Sequence, residues 1–84
     1  MQKSVHGQPQ AVFQALLREL RHDAGLRQED LAARLGEPQS FVSKYESGER
    51  RLDVLELRQI TAVLGVPLAE FIHRLEERLQ GTQE

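Results

Sequence analysis

The sequence contains no cysteine, which excludes disulfide bonds and thiolate metal sites and fits a reducing compartment. It also lacks any apolar run close to the roughly 20 residues that a membrane span requires, and its N-terminus lacks the apolar segment of a signal peptide. We therefore expect a soluble, cytoplasmic chain with no membrane partner. Its 84 residues suffice for one small domain with a modest core, so self-association would be a natural supplement to stability.

Signals of catalysis and of cofactor binding are equally scarce. His6, His22 and His73 do not have the spacing of metal ligands, and the sequence has neither a cysteine nucleophile nor a glycine-rich phosphate loop. The adjacent carboxylates of Glu76 and Glu77 would point apart on a helix surface, which suits solvated charges better than an acid–base pair. We expect no enzymatic activity, no cofactor and no metal.

The stretch from residue 28 to residue 45 has the pattern of two short helices joined by a tight turn. Apolar residues recur at helical spacing on both sides of Gly36, which can take the positive φ that ends a helix. Pro38 suits the first turn of the second helix because its missing N–H is not needed there. Ala32 is small enough for a close crossing of the two helices. The spacing therefore predicts a sharp helix-turn-helix.

The free side of the second predicted helix is polar and consists of Gln39, Ser40, Ser43 and Lys44. In the major groove of DNA, a glutamine such as Gln39 can bind adenine through paired hydrogen bonds, and Lys44 can donate to guanine. The two serines can hydrogen-bond to either base. The residue types alone leave a second interpretation equally open, in which these side chains form an ordinary solvated face.

In two segments, LRQEDLAARLGEPQSFVSKYESGERRLD and ITAVLGVPLAEF, the chain resembles the Cro/CI-type, lambda-repressor-like (XRE) helix-turn-helix family. The resemblance runs from about Leu16 to about Phe71. The positions in the family's register are Gln28, Ala32, Gly36, Gln39, Ser40, Val42, Ser43, Glu46, Gly48, Leu64 and Gly65. The resemblance implies an all-α, compact five-helix domain that regulates transcription. It would bind an inverted-repeat operator in double-stranded DNA as a homodimer, most naturally as a repressor, with residues 39–46 in the major groove.

The resemblance also assigns two structural contacts. It pairs Arg21, in the first helix, with Glu46, at the end of the DNA-reading helix. It further implies that Gln28 contacts a DNA phosphate and braces Gln39, although Gln28 could equally serve as an ordinary helix-end cap. If the ion pair is buried, the removal of one partner could cost about 3–5 kcal/mol.

The remaining DNA contacts expected from the resemblance lie at Phe41 and in the loop after Gly48. Phe41 is larger than the residue that the family usually has there; it could contact a thymine methyl group or the DNA backbone, or it could rest on a neighbouring loop. Ser47, Arg50 and Arg51 are candidates for phosphate contacts, which would set the register without reading the sequence. The alternative for this segment is a solvated polar loop.

We expect three segments along the chain. Residues 1–8 form a flexible tail, residues 9–80 form the domain, and residues 81–84 form a loose C-terminus. The first helix should begin near Pro9, since proline is favoured in a first turn, and Asp53 should cap the fourth helix.

A dimer surface is expected where the apolar stripe of the last helix is longer than a small five-helix core needs. The residues assigned to this surface are Leu55, Pro67, Ile72, Leu75 and Leu79. The alternative for Leu75 and Leu79 is that they fold back onto the first helix of their own chain.

The charge balance argues mildly against DNA binding, because the net charge is −2 whereas DNA-binding domains usually carry a basic patch. Net charge is not the local field, however, and acidic residues on a rear face need not oppose a phosphate-facing edge. Two other hypotheses therefore remain. One is an antitoxin or restriction-control regulator with a protein partner, either a toxin or another regulator. The other is a protein-interaction module that has lost DNA binding.

Overall fold

Five α-helices are the regular elements of the part of the chain that the structure describes. The computed structural model describes the main chain of residues 2–82 and the side chains of residues 8–81. The helices are α1 (Gln2–Asp23), α2 (Gln28–Leu35), α3 (Gln39–Ser47), α4 (Val54–Val63) and α5 (Leu68–Thr82). The predicted all-α, five-helix fold is thereby confirmed. No helix among residues 2–82 combines the length and the apolar character needed to cross a membrane.

The two ends of the chain differ from the predicted boundaries. α1 begins at Gln2 instead of near Pro9, so Pro9 lies inside the helix. The prediction of the start was wrong because the φ of proline is helical, and an interior proline removes one main-chain hydrogen bond without always ending the helix. α5 continues through Gly81 to Thr82, and so extends into the segment 81–84 that was predicted to be loose. Met1, Gln83 and Glu84 lie outside the described residues, and the division into tail and domain stays a prediction.

The core lies where α1 packs against α3 and α5, and where α4 packs against α2 and α5. Its buried apolar side chains are Leu16, Leu17, Leu20, Leu26, Leu31, Ala32, Val42, Tyr45, Leu57, Ile60, Leu64 and Phe71. Phe71 anchors α5 through an edge-to-face contact with Phe13, with ring centroids 5.9 Å apart. This packing fixes α3 on one side of the domain and leaves its opposite side open to solvent.

Glycines end both helices of the helix-turn-helix. Gly36 has a φ of 71° after α2, and the N–H of Glu37 then donates to the carbonyl oxygen of Ala32 at 2.9 Å. Gly48 has a φ of 89° after α3. A Cβ at Gly48 would lie 2.7 Å from Nε2 of Gln14, but that atom is the end of a flexible side chain that can move aside, so the positive φ is the main reason for glycine here.

A capping box fixes the start of α4. The carboxylate of Asp53 accepts a hydrogen bond from the N–H of Glu56 at 2.7 Å, and the carboxylate of Glu56 accepts one from the N–H of Asp53 at 3.0 Å. The predicted cap at Asp53 is confirmed. The reciprocal bond also gives the Glu56 side chain a fixed position beside the loop that follows α3.

Candidate nucleic-acid interface

The solvent-facing side of α3 carries the polar residues that the sequence assigned to base contacts. Gln39, Ser40 and Lys44 are exposed, and Ser43 is half-buried, with its hydroxyl donating to the carbonyl oxygen of Ser40 at 3.4 Å. The opposite side of α3 is buried and consists of Val42, Tyr45 and Glu46. α3 therefore presents polar groups outward from a helix that is fixed from behind.

A line of hydrogen bonds connects α1 to the first residue of α3. Nε and Nη2 of Arg21 donate to the two carboxylate oxygens of Glu46 at 2.7 and 3.0 Å. Nε2 of Gln28 donates to Glu46 Oε1 at 3.0 Å, and Nε2 of Gln39 donates to Gln28 Oε1 at 3.4 Å. The structure thus brings together the pair and the brace that the family resemblance implied, in one network that orients Gln39.

Arg21 and Glu46 are both buried, so each charge is stabilised by the other rather than by water. Burial raises the pKa of Glu46, but the hydrogen bonds from Arg21 and Gln28 outweigh it, and the pKa lies below its usual value. The hydrogen bond to Glu46 raises the pKa of Arg21. Both side chains are therefore ionised near neutral pH, and the rear of α3 is held by a charge-assisted, bidentate pair.

Arg18 is a contact of α3 that the sequence did not reveal. Its Nη2 donates to the main-chain carbonyl oxygen of Glu46 at 3.2 Å, and its Nε lies 3.8 Å from Glu46 Oε1. An arginine there satisfies a carbonyl at the C-terminal end of α3, where cations are favoured. The sequence contains one signal for this role, since Arg18 precedes Arg21 by three residues and so shares its helix face.

The side chain of Phe41, in the first turn of α3, packs against Arg50 in the loop that follows the helix. Its half-buried ring makes an edge-to-face contact with Tyr45, with centroids 5.6 Å apart. The guanidinium carbon of Arg50 lies 4.7 Å from the centroid of the Phe41 ring, within the range of a cation–π contact. This is the alternative that the sequence left open for Phe41, and a DNA contact through the exposed part of the ring stays a prediction.

The phosphate candidates after α3 differ in how their polar groups are engaged. Nη1 and Nη2 of Arg50 donate to the carboxylate of Glu56 at 3.0 and 2.8 Å, and Nη1 also donates to the carbonyl oxygen of Arg51 at 2.9 Å. The hydrogen bonds from Arg50 and from the N–H of Asp53 together lower the pKa of Glu56 to about 2. Among residues 8–81, the exposed guanidinium of Arg51 has no ion-pair partner. The hydroxyl of exposed Ser47 donates to the carbonyl oxygen of Lys44 at 3.1 Å.

Glu56 is the second residue that sequence reasoning missed at this site. The spacing of Asp53 and Glu56 indicates a capping box, but it does not indicate that the same carboxylate also binds Arg50. As a result, Arg50 and Arg51 are adjacent in sequence but differ in charge environment. The guanidinium of Arg50 is paired with a carboxylate, whereas that of Arg51 has no ion-pair partner among the side chains that the structure describes.

The residues assigned to a dimer surface fall into two groups. Leu55 is 71% exposed and Ile72 is 41% exposed, and Pro67 is exposed as well. Leu75 is half-buried and packs against the core of its own chain, which is the alternative considered for it, and Leu79 is also half-buried. Val54, which the sequence did not single out, adds an exposed apolar side chain beside Leu55.

No group of three or more histidine, aspartate or glutamate side chains within the described residues is arranged to hold a metal ion. The open groove beside the interface is lined by α1, the turn after it, α2 and the start of α3, including Arg21, Arg27, Gln28 and Gln39. Three of these lining residues, Arg21, Gln28 and Gln39, belong to the hydrogen-bonded network that supports α3.

Comparisons with known proteins agree with this geometry. A family model for helix-turn-helix proteins matches residues 17–71. An uncharacterised HTH-type transcriptional regulator, y4dJ of Sinorhizobium fredii (strain NBRC 101917 / NGR234), is 36% identical over 64 residues, which cover 76% of this chain and 83% of that protein.

Two solved structures have the same fold. An XRE-family like protein from Pseudomonas syringae pv. tomato str. DC3000 superposes with a TM-score of 0.83 at 43% identity, covering 90% of this chain and 93% of that one. The clp gene regulator ClgR from Corynebacterium glutamicum superposes with a TM-score of 0.75 over 89% of this chain and 82% of its own, but at 22% identity it supports the fold alone. The chain belongs to the XRE family of helix-turn-helix transcriptional regulators, which are DNA-binding proteins and not enzymes.

Proposed function

We propose that this cytoplasmic regulator binds an inverted-repeat operator as a homodimer, inserts α3 of each copy into the major groove, and represses transcription. The observation that carries the proposal is the exposed polar side of α3, supported from behind by the buried network of Arg21, Glu46 and Gln28. A helix held in this way can present its side chains to base edges without a large ordering cost on binding.

In this proposal, the base contacts come from α3. Gln39, at the start of the helix and held by Gln28, reads adenine, while Lys44 donates to guanine. Ser40 and Ser43 hydrogen-bond to the neighbouring base edges, and the exposed part of Phe41 contacts a thymine methyl group.

The phosphate contacts flank the base contacts. Gln28 lies at the N-terminal end of α2, where the helix dipole favours an anion. Ser47, Arg50 and Arg51 lie at and after the C-terminal end of α3. These contacts would hold α3 in register, and the charged ones would give binding its dependence on salt.

The homodimer would form through the exposed apolar residues of α4, of α5 and of the turn between them. Leu55, Pro67 and Ile72 carry this part of the proposal because they are exposed in the single chain, and the half-buried Leu75 and Leu79 would lie at its edge. Two-fold symmetry would place the two α3 helices in successive major grooves about 34 Å apart, which is why the proposed operator is an inverted repeat.

Fluorescence anisotropy of labelled duplex from the gene's own upstream region tests the proposal at two salt concentrations. We expect two chains per duplex and binding that is weaker by about a thousandfold or more on a scrambled duplex. Gln39→Ala and Lys44→Ala should each lower the ratio of the two affinities. Gln80→Ala and Arg74→Ala make matched changes on α5, at an exposed and a half-buried position, and should leave the ratio unchanged. An unchanged ratio in both α3 variants would remove these two residues from the base contacts.

The phosphate contacts have a separate readout. Arg50→Ala combined with Arg51→Ala should weaken binding to all duplexes alike and flatten the dependence of affinity on salt, because fewer counterions are then released. Equal salt slopes for this variant and for the unaltered protein would exclude both arginines as phosphate contacts. Absence of DNA binding at low salt, together with recovery of a stoichiometric protein partner, would instead establish the interaction module.

A further inference from the structure

Arg50 is held by groups from three parts of the chain. Both oxygens of the Glu56 carboxylate accept from its guanidinium, at 2.8 and 3.0 Å, and the carbonyl oxygen of Arg51 accepts at 2.9 Å. The ring of Phe41 lies against the same guanidinium at 4.7 Å. An arginine binds a phosphate through the same paired donors that it uses for a carboxylate. The carboxylate of Glu56 therefore occupies donors that a DNA phosphate could use.

Glu56 is not a freely moving surface acid. One of its oxygens also accepts the hydrogen bond from the N–H of Asp53 that closes the capping box of α4. The start of α4 thus fixes the position of the Glu56 carboxylate independently of Arg50. Little additional ordering of Glu56 is therefore needed to bind the arginine. Exposed ion pairs are commonly weak because two long side chains must be ordered, and that cost is reduced here.

We propose that Glu56 limits the affinity of the protein for DNA by competing with phosphate for the guanidinium of Arg50. This inference rests on the proposed DNA-binding function and adds a residue that sets its strength. With Glu56 present, Arg51 is the stronger cationic phosphate contact of the loop. Arg50 then contributes less to phosphate binding and also positions Phe41 and the loop. Without the negative charge of Glu56, Arg50 becomes available to a phosphate.

The test compares charge-neutralising variants on a duplex of arbitrary sequence, because phosphate contacts do not depend on sequence. Glu56→Gln keeps an oxygen for the N–H of Asp53, and glutamine is accepted at this position of a capping box. Glu49→Gln is the matched control, since it makes the same change at an exposed glutamate directly before Arg50 that has no ion-pair partner within residues 8–81. Thermal unfolding followed by circular dichroism checks that both variants remain folded.

We expect Glu56→Gln to tighten binding by roughly tenfold per chain at about 0.1 M salt and to steepen the slope of log affinity against log salt by about 0.9 per chain. Glu49→Gln should produce a clearly smaller gain. The gain from Glu56→Gln should disappear when Arg50→Ala is added, because the proposal requires the freed guanidinium.

Three results would count against the proposal. Equal gains from Glu56→Gln and Glu49→Gln would indicate a general charge effect, and persistence of the gain in the Arg50→Ala background would show that Arg50 is not the group released. Either result overturns the inference about Glu56. The proposed function would still stand in both cases, provided that the unaltered protein binds DNA. If neither the unaltered protein nor Glu56→Gln binds the duplex at low salt, the proposed function and this inference both fail.

Discussion

One arginine–carboxylate pair joins α1 to the buried side of α3, a second joins the loop after α3 to α4, and the two have almost the same geometry. The pair of Arg21 and Glu46 has donor–acceptor distances of 2.7 and 3.0 Å, and the pair of Arg50 and Glu56 has distances of 2.8 and 3.0 Å. Their surroundings differ. The side chains of the first pair are 8% and 2% exposed, whereas those of the second are 39% and 28% exposed.

The difference shows that the distances alone do not tell what a pair does. At the buried pair, the loss of one partner leaves a buried charge without its main counterion, so the pair is tied to the stability of the fold. At the exposed pair, water can replace either partner, and the main consequence is how much positive charge the surface offers to a ligand. The buried pair thus positions α3, and the exposed pair would adjust its DNA affinity.

The largest effect is expected from Arg21→Ala. This change leaves Glu46 buried and short of its main partner, and it should lower the free energy of unfolding by about 3–5 kcal/mol. Urea denaturation at pH 7 measures it. Arg50→Ala removes the same type of side chain from the exposed pair and should shift the urea midpoint far less. Comparable shifts for the two variants would contradict the distinction between buried and exposed pairs.

The effect of Arg21→Ala should depend on pH. In the unaltered protein the pKa of Glu46 is lowered on folding, so its contribution is present above its unfolded pKa, near 4.5, and is lost as the pH falls through the folded pKa. In the variant, burial of Glu46 is less well compensated, and its folded pKa should rise. The difference between the urea midpoints of the unaltered protein and of Arg21→Ala should therefore shrink from pH 7 to 4.5 and 3.5. If this difference stays constant, the ionisation of Glu46 is excluded as its cause.

Gly48 lies between the two pairs along the chain, and Gly48→Ala should cost about 1–3 kcal/mol from the left-handed backbone alone. The new Cβ would also displace the flexible end of the Gln14 side chain, which should add little to this cost. The same urea experiment in a Gln14→Ala background separates the two causes. If Gln14→Ala removes the entire cost, the side-chain clash and not the positive φ decides the requirement for glycine.

The smallest effect is expected from Tyr45→Phe. Tyr45 packs against Phe41, and its hydroxyl is buried without a hydrogen-bond partner among the described residues. Burial also raises the pKa of this hydroxyl. Removal of an unsatisfied polar group should change the free energy of unfolding by less than about 1 kcal/mol and could increase it. A loss larger than this would mean that the hydroxyl has a partner, such as a buried water, that stabilises the fold.

The local signals of the sequence predicted the elements around α3 well. Gly36, Pro38 and the apolar spacing on both sides predicted the helix-turn-helix, and Asp53 predicted the start of α4, because turns and caps are decided by a few neighbouring residues. The start of α1 was predicted incorrectly at Pro9, since proline is compatible with both a first turn and a helix interior.

What the sequence by itself determined is therefore the set of helices, the polar side of α3 and the membership of a helix-turn-helix family, all of which rest on local spacing. The tertiary structure alone decided which partner each ambiguous side chain takes. Leu75 packs on the core of its own chain, Arg18 reaches the end of α3, and Arg50 binds Glu56. The physical reason is that an apolar stripe or a charged side chain has several partners of equal chemistry, and only the path of the chain brings one of them within reach.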